Sequence, residues 1–201
     1  MSKKGYKKGV VSRQQVVDSA ISALAKRGFA ETSVNDIAAE AGLSKGAVHY
    51  HFKSKDDLIT QVLVTCCERV SERVIDAWHQ EGPPAERIRR ALREMWLVRK
   101  SGGNEVRVVA DLMAQGIHNQ ALKAPLATMF QAAREQIVDQ FVGTLVSLGL
   151  RPKIPAHIPP RLLLATFDGL ALHNFFSPIP PEDEEEVLKA LEMIAFSLFE
   201  M

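Results

Sequence analysis

Apolar residues in this chain recur every three or four positions, which places them along one face of a helix. The first such stripe is Val17, Ala20, Ile21 and Leu24, within a predicted helix over about residues 13–27. No segment shows the strict alternation of apolar and polar residues that is typical of a half-buried strand. The pattern therefore predicts an all-α protein.

Serines, glycines and prolines divide this pattern into about nine helices. Ser12, Ser33, Ser44 and Ser54 each precede a helical stripe, where a side-chain oxygen caps a helix N-terminus. All ten prolines lie at or after Pro83 and interrupt the later chain. The predicted helices cover about residues 13–27, 34–41, 45–52, 55–79, 84–100, 106–117, 125–145, 161–176 and 181–199, with a proline-rich loop over 149–160.

The second and third predicted helices are short, and the turn Gly42-Leu43-Ser44 joins them in the arrangement of a helix-turn-helix. The second helix directs Ile37 and Ala38 inward. The third helix has the width that enters the major groove of B-DNA, and its first turn would meet the base edges. This spacing predicts a DNA-binding head over residues 12–58, a linking helix over 55–79 and a helical body over 80–201.

Charge supports this interpretation only when it is divided along the chain. The 201 residues carry 25 basic and 24 acidic side chains, and a net charge of +1 by itself argues against nucleic-acid binding. Residues 1–55, however, hold ten basic and four acidic side chains. A basic head on an acidic body is typical of a nucleic-acid contact surface, although chance or a solvated tail would give the same figures.

The N-terminal segment 1–11 carries Lys3, Lys4, Lys7 and Lys8 between glycines, and this composition predicts a flexible basic arm. Two interpretations of the arm stay open. It either adds phosphate or minor-groove contacts, as basic arms do elsewhere, or it is a solvated terminus.

Residues 32–58, which read TSVNDIAAEAGLSKGAVHYHFKSKDDL, resemble the signature of TetR-like transcriptional regulators. The resemblance covers about 45 residues, from the first helix to Leu58, and residues 167–172 resemble the C-terminal region of some members. It implies a ligand-responsive regulator that binds a double-stranded DNA operator as a homodimer. One position departs from the family pattern, because His49 stands where the family usually has tyrosine.

The resemblance also implies which residues contact DNA. Residues at the start of the second helix match contacts to phosphate or base edges, and residues 45–49 match the base-reading turn. Tyr50, His51 and Lys55 match contacts to backbone phosphate, whereas Val48 and Phe52 fall on the inward face and are predicted core. The ten predicted DNA-binding residues are Ser33, Asn35, Ser44, Lys45, Gly46, Ala47, His49, Tyr50, His51 and Lys55.

The last two predicted helices are strongly apolar and are the candidates for a dimer interface. Two such helices from each of two protomers would form a four-helix interface, which the family resemblance also implies. The alternative is that both helices belong to the core of one protomer. The predicted interface residues are Leu163, Phe167, Leu170, Leu188, Leu191, Ile194 and Leu198.

The fifth to eighth predicted helices would then enclose the site of an unidentified small-molecule effector, apolar or amphipathic in character. Methionine and aromatic stripes at helical spacing are also ordinary core, so this list competes with a purely structural interpretation. The candidate lining residues are Met95, Trp96, Met113, Ile117, His118, Met129, Phe130, Phe141, Phe167 and His173.

Composition and spacing argue against several other classes. No run of about 18 apolar residues predicts a membrane span, and the basic N-terminus leads into no apolar segment of a secretory signal. Cys66 and Cys67 are adjacent, which disfavours a disulfide and supplies at most half a zinc site, so we expect a cytoplasmic protein without metal or cofactor.

Two alternatives to a ligand-responsive regulator remain. One is a DNA-binding protein that responds to no ligand. The other is an all-α enzyme, for which the acids and bases Glu94, Asp111, His118, Asp168 and His173 are available. No nucleophile elbow, phosphate loop or metal-spaced cluster accompanies them, so we predict no catalytic residues.

Overall fold

The computed structural model describes residues 13–147 and 149–200, and its architecture is all-α. The predicted basic arm and the Ser12 cap lie outside the described residues. The helices of the described ranges are α1 (Arg13–Arg27), α2 (Val34–Glu40), α3 (Lys45–His51), α4 (Lys55–His79), α5 (Pro84–Lys100), α6 (Asn104–Gly116), α7 (from Gln120), α8 (Ile158–Phe176) and α9 (Glu184–Ser197).

The capping serines predicted for α2, α3 and α4 are confirmed. Ser33, Ser44 and Ser54 each have extended backbone angles and accept a hydrogen bond from the backbone N–H three residues later. Each bond satisfies an amide that has no partner inside the helix. The caps therefore fix where the three helices begin.

Helix α7 begins earlier than predicted and is not uniform. Asn119 caps it by accepting from the Ala121 N–H at 3.0 Å, so Pro125 lies inside the second turn instead of opening the helix. The α-helix runs over Gln120–Ile137, continues as a π-helical turn over Val138–Val142 and ends as α-helix over Gly143–Ser147. Proline was a misleading start signal because an N-capping asparagine stands upstream of it.

The prediction of a chain without strands was wrong in one detail. Arg151–Pro152 pairs antiparallel with Phe199–Glu200, and the Lys153 N–H donates to the Leu198 carbonyl at 2.9 Å. Two-residue strands are too short to show alternation in a sequence. Helix α8 also begins inside the predicted proline-rich loop, because Pro159 and Pro160 occupy its first turn, where proline is tolerated.

Buried side chains form two separate clusters. The first, the head-side core, joins α1, α2, α3 and the first half of α4 to α6 and the first half of α7. Its most shielded members are Val16, Val17, Ala20, Ile37, Leu58, Ile59, Val62 and Leu112, each 0% exposed. The predicted head over residues 12–58 thus shares its core with two helices of the body.

The second cluster, the distal core, joins the end of α4 to α5, the end of α7, α8 and α9. It is built around large aromatic side chains, and Trp78, Trp96 and Phe167 are 1%, 0% and 0% exposed. Ion pairs between α5 and α9 close its outer edge, including Arg93 with Glu185 at 2.9 Å and Arg89 with Glu192 at 3.1 Å.

No helix among the described residues is both long and apolar enough to cross a membrane. In the same part of the chain, no group of three or more histidine, cysteine, aspartate or glutamate side chains is placed to hold a metal ion.

Candidate nucleic-acid interface

Helices α2 and α3 form the helix-turn-helix that the spacing predicts. The turn between them uses Gly42 at φ +67°, a left-handed conformation that favours glycine. The next amide, that of Leu43, donates to the Ala38 carbonyl at 2.8 Å and closes the end of α2. Val48 and Phe52 are 1% exposed, so α3 is anchored on its inner face, as predicted.

The outer face of α3 carries most of the predicted base-reading residues. Lys45, Gly46, His49 and Tyr50 are exposed, and Ala47 is half-buried. Gly46 adds no bulk, so backbone and neighbouring side chains can approach a groove closely. An exposed, capped and anchored helix of this kind is the part of a helix-turn-helix that enters the major groove.

Tyr50 and His51 lie at the C-terminal end of α3, beyond the base-reading turn. The Tyr50 side chain is 86% exposed, and its ring meets the half-buried His51 ring edge-on at a centroid distance of 5.1 Å. The two side chains thus lie together at the end of the exposed face of α3. The geometry suits contacts to the DNA backbone beside the groove.

Ser33 and Asn35 open α2 and are exposed, but they differ in their partners. The Ser33 hydroxyl caps the helix and donates to Asp36 Oδ2 at 2.5 Å. These hydrogen bonds, followed by the Arg27 guanidinium at 2.6 Å, hold the Asp36 pKa below its ordinary value. Ser33 therefore acts mainly as the cap of α2, whereas Asn35, in the first turn, has no capping role.

Both acidic side chains of α2 are paired with basic ones of α1. Glu40 binds Lys26 at 2.5 Å and accepts from the Ser22 hydroxyl at 2.7 Å, and these contacts lower the Glu40 pKa. Lys45, by contrast, forms no ion pair within the described ranges. The Lys45 charge at the exposed start of α3 is therefore not neutralised by an ion pair and is available to a DNA phosphate.

Lys55, the first residue of α4, is placed differently from the α3 side chains. Its Nζ donates to the Phe29 carbonyl at 3.0 Å and lies 4.0 Å from the centroid of the Phe29 ring. Partial burial lowers the pKa of this ammonium. The role of Phe29 could not be predicted, because nothing in the motif distinguishes an apolar residue after a glycine from ordinary core.

The candidate effector residues are not brought together in one site. Met95 and Phe141 line an apolar cavity of about 30 Å³ in the distal core. Trp96 and Phe167 belong to the same core, but they do not line the cavity. The remaining candidates lie elsewhere: Met113, Met129 and Phe130 pack in or against the head-side core, and Ile117, His118 and His173 are exposed.

This distribution corrects the predicted position of the pocket. Helix α6 packs on the head-side core, so its apolar face is not available to a cavity between α5 and α8. The observed lining comes from α5, the last part of α7 including its π-helical turn, α8, α9 and the strand that follows α9. It consists of Ile88, Leu92, Met95, Ile137, Phe141, Val142, Leu145, Pro159, Leu163, Ala195, Phe196 and Phe199.

The predicted dimer residues divide in a similar way. Phe167, Leu188 and Leu191 are 0%, 3% and 5% exposed, which corrects their assignment, because they already pack inside one protomer. Ile194 is 45% exposed, and the other three are half-buried. Besides Ile194, the large apolar side chains exposed on α8 and α9 are Leu162, Leu172, Phe175, Phe176 and Met193, of which sequence analysis did not identify Phe175 and Met193.

The acids and bases considered for an enzyme are spread over the molecule. Asp168 binds Arg99 at 2.7 Å, Glu94 binds Arg73 at 2.5 Å, and Asp111 accepts from the Phe29 N–H at 2.6 Å. His118 and His173 are exposed on different helices. Each carboxylate thus has a structural partner, and the five groups form no common site.

Comparison with known proteins agrees with this interface. Residues 16–62 match the family model described as bacterial regulatory proteins, tetR family. The chain is 27% identical over 171 residues to the HTH-type transcriptional regulator PksA of Bacillus subtilis, covering 83% of this chain and 80% of that protein. It is 34% identical over 62 residues to the HTH-type transcriptional regulator AcrR of Shigella flexneri, covering 31% of this chain and 29% of that protein.

A solved structure extends the likeness over almost the whole fold. The crystal structure of a transcriptional regulator from Rhodococcus sp. Rha1 superimposes with a TM-score of 0.74 and 25% identity, covering 95% of this chain and 99% of that chain. The relatives and fold neighbours are transcriptional regulators and not enzymes.

Proposed function

Because this chain is a DNA-binding transcriptional regulator of the TetR family, we propose that it acts as a homodimeric repressor of a palindromic operator. An apolar or amphipathic small molecule releases it from that operator. The exposed outer face of α3 is the observation that supports this function most directly, because it offers Lys45, Gly46 and His49 on a rigid, capped helix. The setting is the cytoplasm, where chromosomal operators lie.

The outward faces of α8 and α9 support a homodimer. Phe176 and Met193 are 84% and 73% exposed, and Leu172 and Ile194 are about half exposed. Several large apolar side chains on adjoining helix surfaces mark an interaction site in a protein of this size. A two-fold axis would pair these helices with their copies and place two α3 helices on successive major grooves of one DNA face.

The distal cavity supports the apolar character of the effector. Every side chain that lines it is apolar, so a ligand with unmatched charges or hydrogen-bonding groups would lose their hydration without compensation. The cavity of about 30 Å³ is much smaller than typical ligand sites, which measure roughly 300–1,000 Å³. Binding therefore has to push α5, α7 and α8 apart.

This displacement is the mechanical step of the proposed release. Helix α4 contributes Val74 and Trp78 to the distal core and Leu58 and Ile59 to the head-side core. Movement at one end of such a helix tilts the other end and changes the separation of the two α3 helices in the dimer. Effector and operator then weaken each other's binding by the same coupling free energy.

The operator claim is tested by selecting duplexes from a random pool with the full chain. We expect an enriched palindrome whose half-sites are separated by about one helical turn, or a multiple of it. The Lys45→Met and His49→Ala variants should each bind the selected palindrome about ten- to a hundredfold more weakly and prefer different bases. Lys123→Met, which removes an exposed lysine of α7 outside the proposed dimer face, is the charge-matched control for Lys45→Met. Equal affinity for all duplexes would contradict the proposal.

The small volume of the cavity also supports a second candidate, a DNA-binding regulator that responds to no ligand. The two are separated by titrating the operator complex with a panel of neutral apolar compounds. Release by one compound, weakened by Ala195→Val at the cavity wall, supports the effector. Release that Ala195→Val leaves unchanged would place the effector elsewhere. No release by any compound in the panel supports the second candidate.

A further inference from the structure

Phe29 follows the C-terminal glycine of α1 and carries an amide that leaves the helix. Gly28 has φ +78°, and its N–H donates to the Leu24 carbonyl at 2.7 Å, which closes α1 with a left-handed cap. In this type of cap the following N–H has no acceptor within its own helix. The Phe29 N–H donates instead to Asp111 Oδ2, on α6 of the body, at 2.6 Å.

The other groups of Phe29 face the start of α4. Its carbonyl and its ring together hold the Lys55 ammonium, at 3.0 Å from the oxygen and 4.0 Å from the ring centroid. An ammonium has three N–H groups, so at least one remains for a DNA phosphate besides those directed at the carbonyl and the ring. One residue thus connects a carboxylate of the body to a cation at the predicted DNA surface.

The surroundings of this residue keep it in place. Thr32 is 1% exposed, and its hydroxyl donates to the Gly28 carbonyl at 2.6 Å. A Cβ added at Gly28 would lie 3.4 Å from Asp111 Oδ2, so α1 and α6 approach each other closely here. The segment between α1 and α2 therefore has little freedom to move without breaking its bond to α6.

We propose that Asp111 is a positioning residue for DNA binding, which fixes the Phe29 peptide and thereby keeps the Lys55 ammonium directed at a phosphate. Displacement of α6 withdraws the acceptor, frees Phe29 and removes the support of Lys55. The inference rests on the proposed operator binding and adds a route from body to head that runs through α6. Charge and positioning predict opposite changes in operator affinity when Asp111 is replaced. A neutral side chain at 111 removes a negative charge near DNA and would by charge alone strengthen binding, whereas loss of positioning weakens it.

The test is a double-mutant cycle on operator affinity, using the full chain and the palindrome selected from the random pool. The four proteins are the unsubstituted chain, Lys55→Met, Asp111→Ala and the double variant. We expect Lys55→Met alone to weaken binding about tenfold and to reduce the salt slope by about two for a dimer. In the Asp111→Ala background, Lys55→Met should weaken operator binding about twofold or less, because the lysine is already misplaced.

Two further variants separate positioning from charge and from folding. Asp111→Asn removes the charge but keeps an oxygen acceptor for the Phe29 N–H, so it should retain affinity within about threefold. Asp139→Asn changes the charge of an exposed carboxylate on α7 and should leave affinity unchanged. In hydrogen exchange, Asp111→Ala should deprotect the Phe29 amide while the α1 amides stay protected.

Each outcome decides a different claim. If Lys55→Met weakens operator binding equally in the unsubstituted chain and in the Asp111→Ala variant, the positioning role is overturned and the proposed function is left intact. Tighter operator binding by Asp111→Ala would show that its charge alone matters, and would overturn the role as well. If the unsubstituted chain selects no operator, the proposed function fails, and this inference fails with it.

Discussion

The head-side core and the distal core differ in the size of their side chains and in how completely they are filled. The head-side core is built mainly from aliphatic side chains, with Phe52 as its one fully buried aromatic residue in the described ranges, and Val16, Val17, Ile37 and Leu58 are completely shielded from solvent. The distal core is built around Trp78 and other large aromatic residues, and a cavity of about 30 Å³ lies within it. Close packing holds short helices in one geometry, whereas unfilled space between large side chains can be enlarged.

The boundary between the two cores does not follow the boundary that the sequence predicts after residue 58. Val108, Leu112 and Leu122, which belong to α6 and α7, complete the head-side core. The helix-turn-helix is therefore not a separate packing unit, since part of its support comes from the body. In the proposed mechanism, this shared core connects the body helices to α3.

The largest effect that would test this comparison is expected at Leu112, which is 0% exposed. Leu112→Ala should lower the free energy of unfolding by about 3 kcal/mol, because it leaves a cavity in the head-side core. Hydrogen exchange should show faster opening of α2 and α3 as well as of α6. Ile117→Ala, near the end of the same helix at a side chain 70% exposed, should cost less than about 0.5 kcal/mol. Faster exchange confined to α6 would show that the head packs independently.

The second prediction places the same substitution in each core. Ala20 lies in the head-side core at 0% exposure, and Ala195 lines the distal cavity. Ala20→Val should destabilise the protein by about 1–3 kcal/mol through overpacking. Ala195→Val should be neutral or stabilising by up to about 1 kcal/mol, because the added methyl groups enter empty space. Urea unfolding at fixed protein concentration measures both. Equal losses would mean that the two cores are equally tight.

The head could be predicted closely from the sequence because its signals are local. Ser33, Ser44 and Ser54 act on amides only three residues away, and the period of Val17, Ala20 and Ile21 identifies the inner face of α1. In a short helix, few other residues could act as the cap or form the inner face, so each of these signals has one clear interpretation. The contact between Asp111 and Phe29 spans 82 residues, and no spacing rule connects such partners.

The faces of α8 and α9 could not be predicted for a different reason. Helix α8 is apolar almost all round, so helical periodicity does not show which of Phe167 and Phe176 faces the core. The structure buries the first and exposes the second. The position of the distal cavity could not be predicted either, because the packing of α6 on the head-side core keeps Met113 out of its lining.

The third prediction concerns pH and the outer edge of the distal core. The Lys100 ammonium at 2.5 Å, followed by the Trp96 indole N–H at 3.0 Å, lowers the Glu184 pKa below its ordinary value of 4.5. Such a carboxylate stabilises the fold above its unfolded pKa and loses this contribution as the pH falls through its folded pKa. Glu184→Gln should therefore lower the free energy of unfolding by about 1–2 kcal/mol at pH 7 and by less at pH 3. An equal loss at both pH values would contradict this electrostatic role.

The smallest effect is expected where ion pairs, and not apolar contacts, join the head to the body. Arg69 of α4 binds both Asp18 of α1 and Glu105 of α6, the latter at 3.2 Å, but its side chain is 38% exposed. Arg69→Met should lower the free energy of unfolding by less than about 1 kcal/mol, and about 1 M salt should abolish most of the difference. The comparison with Leu112→Ala then decides what holds the head. If Arg69→Met instead lowers the free energy of unfolding by more than about 2 kcal/mol, and salt does not reduce this loss, the charged network would hold the head on the body. The shared apolar core would then contribute less.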